Sequence, residues 1–108
     1  MNLYCVQDWP AFVGEHHYCV KEIAGALKVH PRTLERFFRA EFHRTPQQWV
    51  QRERMKRARA LLREGVLRVK EIATRLAYSG TATFVRAFRL AHKASPRRYL
   101  RRLARRRW

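Results

Sequence analysis

The chain has 108 residues, 46% of them apolar, and its 25 Lys and Arg against 8 Asp and Glu give a formal net charge of +17 at pH 7. This charge favours nucleic acid or another anionic surface as the partner, and the length allows one modest core. Asp8 is the single aspartate, and no nucleophile–base pair or glycine-rich phosphate loop is visible, so we expect neither an enzyme nor a bound cofactor. Without a membrane-spanning apolar run or a signal peptide, we expect a cytoplasmic protein.

The first 17 residues carry the weakest pattern in the chain. Their apolar side chains, Trp9 and Phe12 among them, predict a first helix of uncertain limits that covers the helices after it. Pro10 interrupts any longer helix there, and Gly14 favours its end.

Cys5, His16, His17 and Cys19 are the residues whose chemistry could suggest a metal site. The two cysteines are fourteen positions apart, however, and the close-set ligand pairs of a zinc site are missing. We therefore expect two buried or half-buried free thiols, a solvated turn at the two histidines, and no metal. Cys19 also stands where Ser or Thr would cap the next helix, and a thiol accepts hydrogen bonds poorly.

A five-residue pattern occurs twice and organises the chain. Val20-Lys21-Glu22-Ile23-Ala24 returns as Val69-Lys70-Glu71-Ile72-Ala73, and the aromatic and proline positions after each copy also match. In each copy the apolar residues lie on one face of a short helix, and a longer helical pattern follows a break of about four residues. The repeat therefore predicts two helix-turn-helix units, in which Ala24 and Ala73 allow the two helices to cross closely.

The second helix of each unit is predicted at residues 31 to 42 and at residues 81 to 92. Each has an apolar stripe on one side and, on the other, side chains suited to a DNA major groove. In the first helix the outward residues are Arg32, Arg36 and Arg39, flanked by Glu35 and Thr33. In the second they are Ala82, Arg86 and Arg89, flanked by Val85, Thr83 and, in the first turn, Thr81. Because Arg36 and Arg86 occupy equivalent positions, we predict that both read bases. A solvated face or a phosphate contact is the alternative for each arginine, and Glu35 could instead pair with Arg39.

One long helix is predicted between the units, at residues 46 to 65, where Thr45-Pro46 opens it and Gly65 ends it. Its polar side has more basic residues than its two glutamates can pair, so some of them should contact phosphate. Ser95-Pro96 opens a last helix in the same way, and the basic tail after it should be solvated. The residues assigned to phosphate are Arg39, Arg54, Arg57, Arg89, Arg97 and Arg98.

Over roughly residues 19 to 102, the chain resembles the DNA-binding domain of the AraC/XylS family of bacterial transcription regulators. Besides the two units, the resemblance rests on positions that match in order: Arg54, Ala58, Phe88, Pro96 and Tyr99. It implies an all-α fold of about seven helices, whose third and sixth helices enter successive major-groove segments, and activation through contact with RNA polymerase. The base-reading residues that it implies are Arg32, Glu35, Arg36, Thr81, Ala82, Val85 and Arg86.

The chain departs from the family pattern at four turn positions where glycine is usual. Lys28, His43, Ala77 and Lys93 stand there. If the backbone is left-handed at these positions, each side chain costs about 1 kcal/mol; otherwise the turns are built differently. His92 also replaces an apolar residue, which thins the second core.

We therefore expect a single domain over residues 1 to 108, with a first subdomain at residues 1 to 45, a linking helix at 46 to 65 and a second subdomain at 66 to 108. If this is the entire protein, it has no room for an effector or dimerisation domain and should bind DNA as a monomer. The predicted function is sequence-specific regulation of transcription on double-stranded DNA. The alternative is a non-specific DNA-coating or architectural protein. RNA binding would not need two matched recognition helices, which the deep, narrow major groove of RNA would not admit. Membrane binding is not favoured, because the apolar faces match a folded core and not one amphipathic surface.

Overall fold

The computed structural model describes residues 3–106. Within this range the chain forms a short 3-10 helix at Leu3–Cys5 and seven α-helices, and no strand. The helices are α1 (Trp9–Glu15), α2 (Val20–Leu27), α3 (Pro31–Phe42), α4 (Pro46–Glu64), α5 (Val69–Arg75), α6 (Thr81–His92) and α7 (Pro96–Arg106). The predicted all-α class is confirmed, and the two predicted recognition helices coincide with α3 and α6.

The sequence left the limits of the first helix uncertain, and the structure places it at Trp9–Glu15. Asp8 caps α1 by accepting a hydrogen bond from the Ala11 backbone N–H at 3.1 Å. Pro10 lies in the first turn, where its missing N–H has no intrahelical partner to lose, so it begins the helix instead of interrupting it. Gly14 lies inside α1, which ends one residue later.

Two compact units make up the chain, Met1–Arg54 (unit 1) and Met55–Trp108 (unit 2), and the boundary between them lies within α4. In unit 1, α2 packs on α3 and its Ala24 is buried at the contact. An aromatic cluster fills the rest of this core: the Trp9 ring meets Phe38 edge-on at 5.0 Å between centroids, and Trp49 stacks on Phe42 at 5.2 Å.

Unit 2 repeats this arrangement with a less aromatic core. Its α6 packs on both α5 and α7, and Ala73 is buried as Ala24 is in unit 1. Phe84 and Phe88 are completely buried. Ile72, Leu76 and Ala94 are also buried, and the second half of α4 adds Met55, Ala58, Leu61 and Leu62 to this core.

The four turn positions where the family usually has glycine are all left-handed. Lys28, His43, Ala77 and Lys93 have φ values of 56°, 56°, 64° and 57°. Their side chains therefore adopt the conformation that disfavours a Cβ atom, and the alternative of a differently built turn is wrong. Gly65, with φ of 70°, follows α4 in the same conformation without that cost.

The region from Cys5 to Cys19 differs in part from expectation. Cys19 is half-buried as predicted, but Cys5 is exposed, because it lies on the outer side of the 3-10 helix. The second histidine of the turn is not simply solvated, since His17 Nδ1 lies 2.9 Å from Glu22 Oε2. Residues 3–106 contain no group of three or more His, Cys, Asp or Glu side chains that could hold a metal ion. Within the same residues, no helix is long and apolar enough to span a bilayer.

Candidate DNA interface

The outward face of α3 presents two arginines whose side chains have no ion-pair partner among the described residues, Arg32 and Arg36. Both are exposed, while Leu34 and Phe38 on the opposite side are completely buried. The start of the helix is held by His30, whose Nδ1 accepts from the Arg32 backbone N–H at 3.1 Å. The burial of one face therefore orients the other, with its guanidinium groups, towards solvent.

Glu35 and Arg39, also on α3, form an ion pair. The Arg39 Nε lies 3.2 Å from Glu35 Oε1, one helical turn away, and both side chains are about half exposed. Of the two interpretations of Glu35, the free structure therefore adopts the internal pair. An exposed pair of this kind is worth less than about 1 kcal/mol, so DNA could displace it at little cost.

The outward face of α6 is less polar than that of α3. Ala82 and Arg86 are exposed, whereas Thr81 and Val85 are half-buried. Arg86 shares a shallow surface groove with Arg89, Leu90 and Lys93. Leu90 is 87% exposed, and sequence reasoning missed it. The available signal was its position, four residues after Arg86 and hence on a neighbouring part of the same helical surface.

The residues assigned to phosphate fall into two groups. Arg57, Arg89, Arg97 and Arg98 are exposed, and within the described residues they have no side-chain ion pair. Arg54 is different: it is half-buried, and its guanidinium lies over the Tyr18 ring at 5.7 Å from the centroid. This cation–π contact ties α4 to the turn before α2 and gives Arg54 a structural role inside unit 1.

A second group of cations, on α5, was not assigned from the sequence. Arg68, Lys70 and Arg75 are exposed and line one groove together with Thr74. Glu71 lies in the same groove, and its carboxylate accepts from the Arg68 backbone N–H at 3.0 Å and so caps the helix. Its single negative charge offsets one of the three cations, so the group keeps a net positive charge. The sequence signal for this group was the lysine that recurs in the repeated pattern.

The surroundings of two side chains, Tyr4 and His92, shift their pKa values. The hydrogen bond from the Tyr4 hydroxyl to Glu41 at the end of α3, with the carboxylate charge, raises the pKa of Tyr4 above its usual value. Burial, and secondarily the charge of Arg59, lower the pKa of His92. Neither group belongs to the outward faces of α3 and α6.

Comparison with known protein families agrees with this arrangement. The family model described as a helix-turn-helix domain matches residues 23–102. Among curated proteins, the chain is 34% identical over 79 residues to the HTH-type transcriptional activator RhaS of Klebsiella pneumoniae, covering 73% of this chain and 28% of RhaS. It is 27% identical over 85 residues to the HTH-type transcriptional regulator AlkR of Acinetobacter baylyi, covering 79% of this chain and 28% of AlkR.

Solved structures with the same fold include DNA-binding domains. The DNA-binding domain of AdpA, a global transcriptional factor solved in complex with a target DNA, superposes with a TM-score of 0.78 at 28% identity, covering 90% of each chain. The C-terminal domain of AraT, a response regulator from Geobacillus stearothermophilus, gives a TM-score of 0.76 at 28% identity and covers 85% of this chain and 79% of that one. The chain spans about a quarter of the length of the curated relatives it matches.

Proposed function

The chain belongs to the AraC/XylS family of bacterial transcription regulators as a DNA-binding helix-turn-helix domain, and from that premise we propose that it reads a specific site on double-stranded DNA with α3 and α6. Each of the two helices enters a major-groove segment, and the two segments follow one another along the duplex.

One observation carries this proposal. Arg36 and Arg86 hold equivalent positions in the repeat, both are exposed, and each lies opposite a fully buried phenylalanine, Phe38 or Phe88. A guanidinium group on the outer side of such a helix matches the O6 and N7 acceptors of guanine. A protein that only coated DNA would need basic charge, but it would not need the same side chain at the same place on two separate helices.

The proposed contacts divide into two kinds. Base edges are read by Arg32, Glu35, Arg36, Thr81, Ala82, Val85 and Arg86. Among these, Ala82 and Val85 can contact only apolar groups such as the thymine methyl. Phosphates are bound by Arg39, Arg57, Arg89, Arg97 and Arg98, with Arg54 contributing through its charge while it remains stacked on Tyr18.

The effect of this DNA binding on transcription is a separate proposal. RhaS, which shares 34% identity with this chain, is a transcriptional activator, and we propose activation with RNA polymerase as the protein partner. We propose that one copy of this domain can occupy an asymmetric site by itself, because a single chain already carries two reading helices, α3 and α6. The second candidate function, architectural DNA coating, is favoured by the net charge of +17.

The decisive experiment is selection of bound duplexes from a random DNA pool at about physiological salt, where non-specific phosphate attraction is already weakened. We expect an asymmetric motif with two informative blocks about one helical turn apart. Retention that yields no motif and simply declines as salt rises would reject sequence-specific reading and support the coating function.

The contact assignment is tested with Arg36→Ala on the selected site. We expect a loss of about 1–3 kcal/mol of binding free energy on that site and little change on random DNA, because only a base contact discriminates between them. Arg105→Ala, in the exposed part of α7, is the matched control and should weaken both equally. Equal losses on both duplexes for Arg36→Ala would reassign this residue to phosphate.

A further inference from the structure

The two units carry very different charges, although they repeat the same fold. Unit 1 has 8 Lys and Arg against 6 Asp and Glu, a net charge of +2. Unit 2 has 17 Lys and Arg against 2 Asp and Glu, a net charge of +15. If the domain binds DNA as proposed above, the attraction to the phosphates is therefore concentrated in unit 2.

The helix that follows each reading helix shows this difference residue by residue. Pro46 of α4 corresponds to Pro96 of α7, so that the exposed glutamines at positions 47, 48 and 51 correspond to exposed arginines at positions 97, 98 and 101. In unit 1, Gln48 Oε1 accepts from the Thr45 backbone N–H at 3.1 Å and helps to cap α4. In unit 2, Ser95 Oγ caps α7 by accepting from the Arg98 backbone N–H at 3.2 Å, and within residues 3–106 the Arg98 side chain takes no part in this cap.

The helix that precedes each reading helix shows the same difference. Arg68 and Arg75 of unit 2 stand where unit 1 has Cys19 and Ala26, and Lys70 matches Lys21. Arg68, just before α5, and Lys70 and Arg75 within it line one groove with Glu71, so three positive charges face one negative charge there. Since α5 and α7 both pack on α6, exposed cations lie on both helices that contact the second reading helix.

The outward faces of α3 and α6 differ in hydrogen-bonding capacity, and here unit 1 has more than unit 2. The outward face of α3 offers three long hydrogen-bonding side chains, those of Arg32, Glu35 and Arg36. The face of α6 offers one, Arg86, beside Ala82, the half-buried Val85 and the short hydroxyl of Thr81. Hydrogen bonds to base edges can distinguish all four base pairs in the major groove, whereas a small apolar side chain can contact only an apolar group such as the thymine methyl.

We infer that the two units divide the work of binding: unit 2 anchors the protein to DNA through the phosphates, and unit 1 supplies most of the sequence discrimination. This inference rests on the proposed function and adds to it a surface not assigned above, the cations of α5 together with Arg101. The ligand of that surface is the sugar–phosphate backbone of double-stranded DNA.

The test compares two triple variants, each with three fewer positive charges. Arg97→Gln/Arg98→Gln/Arg101→Gln converts the start of α7 to the residues of unit 1. The matched control, Lys21→Gln/Arg44→Gln/Arg52→Gln, removes three exposed charges from unit 1. Binding of both to the selected site and to random DNA is measured between 50 and 300 mM salt, and thermal denaturation followed by circular dichroism checks that both variants are folded.

For the α7 variant, the slope of log K against log salt should become shallower by about 2 to 3, since each lost phosphate contact removes about 0.9. Affinity should fall on both duplexes by the same factor, of about tenfold or more, so that the ratio between them is kept. The control should change the slope by less than about 1. Equal slope changes in the two variants would overturn the division by showing that only net charge matters.

A second measurement changes the DNA site and keeps the protein unchanged. Scrambling the block of the selected site that unit 1 reads, identified by the Arg36→Ala variant, should cost at least about tenfold more affinity than scrambling the other block. Equal costs would overturn the inference while leaving sequence-specific binding intact. Failure to select any motif would instead reject the proposed function, so the two failures are distinguishable.

Discussion

His92 is the residue at which the cores of the two units differ most in chemistry. It takes the place that Phe42 has in unit 1, and its ring lies 4.5 Å from that of Phe88 between centroids. Its Nε2 atom and the Nε atom of Arg59 are buried, and neither has a hydrogen-bond partner in the described part of the chain. Burial and then the charge of Arg59 lower the pKa of His92, against a smaller opposing effect of its hydrogen bond to the Met55 backbone.

The lowered pKa of His92 predicts a stability that depends on pH. As the pH falls below about 6.5, the ordinary value for histidine, the unfolded chain binds a proton that the folded chain does not. The stability of unit 2 should therefore be complete above that pH and decline below it. His92→Phe should remove this decline, as followed by urea denaturation between pH 5 and 8.

The control for this prediction is His43→Gln, since His43 is exposed and lies outside the core of unit 2. It should leave the decline unchanged. A decline in His92→Phe equal to that of the parent protein would assign the pH dependence to other groups.

The left-handed residues lead to a second prediction at the residue scale. Ala77 has φ of 64° and Ala91 lies in α6, and both are exposed. Ala77→Gly should therefore raise the free energy of unfolding by about 1 kcal/mol, whereas Ala91→Gly should lower it by a similar amount. The same relief of strain should raise the melting temperatures of Lys28→Gly and His43→Gly, as measured by thermal denaturation.

The chemical change is identical in the two alanine variants. If the free energy of unfolding rises in one and falls in the other, the difference is due to the backbone conformation at the two positions. A loss of stability for Ala77→Gly would mean that the greater freedom of the unfolded chain outweighs the relief of strain at that turn.

At the scale of elements, α2 begins without the cap that α5 has. Cys19 precedes α2 with an extended backbone but makes no side-chain hydrogen bond to it, and Glu22 is directed to His17. In α5 the corresponding Glu71 accepts from the Arg68 backbone N–H. The Cys19 backbone N–H instead donates to the His16 carbonyl at 3.1 Å, and the Cys19 side chain accepts from none of the first amide groups of α2, which therefore lack a side-chain acceptor.

Cys19→Ser should supply that missing partner. A serine hydroxyl at such a position stabilises a helix by about 1 kcal/mol, and a gain of a few degrees in melting temperature is expected. The control is Cys5→Ser, which makes the same chemical change at an exposed residue outside any helix cap and should be neutral. Equal shifts in the two variants would show that loss of a thiol, and not capping, is responsible.

At the scale of the whole molecule, the charge of +17 predicts opposite effects of salt on folding and on binding. Self-repulsion destabilises the free protein, and salt screens it over a distance of about 8–10 Å. Raising the salt concentration from 50 to 300 mM should therefore raise the melting temperature of the free protein while it weakens binding to any duplex. Parallel thermal and binding titrations in the same buffers check this.

Sodium chloride and potassium glutamate should both raise the melting temperature of the free protein, because screening depends on ionic strength. A melting temperature that falls with both salts would show that repulsion is not the dominant electrostatic effect in the folded state.

The α-helices after the first, and the starts of three of them, were predictable because they depend on neighbours in sequence. Apolar periodicity and Pro31, Pro46 and Pro96 placed the starts of α3, α4 and α7 at the residues where the structure has them. The pairing of Glu35 with Arg39 could be foreseen as an alternative, since the two are one turn apart. The assignment of bases and phosphates to particular arginines stays a prediction, because it depends on the DNA.

The sequence by itself determined the repeat, the helical class and the concentration of charge in the second half, because these are properties of composition and of local spacing. Only the tertiary structure decided which cations are available. Arg54 lies against Tyr18, thirty-six positions away in the chain, and no local pattern encodes that contact. It also decided that the turns at Lys28, His43, Ala77 and Lys93 are left-handed. The packing of each helix pair fixes the direction of the chain there, and it does so at the cost of local strain.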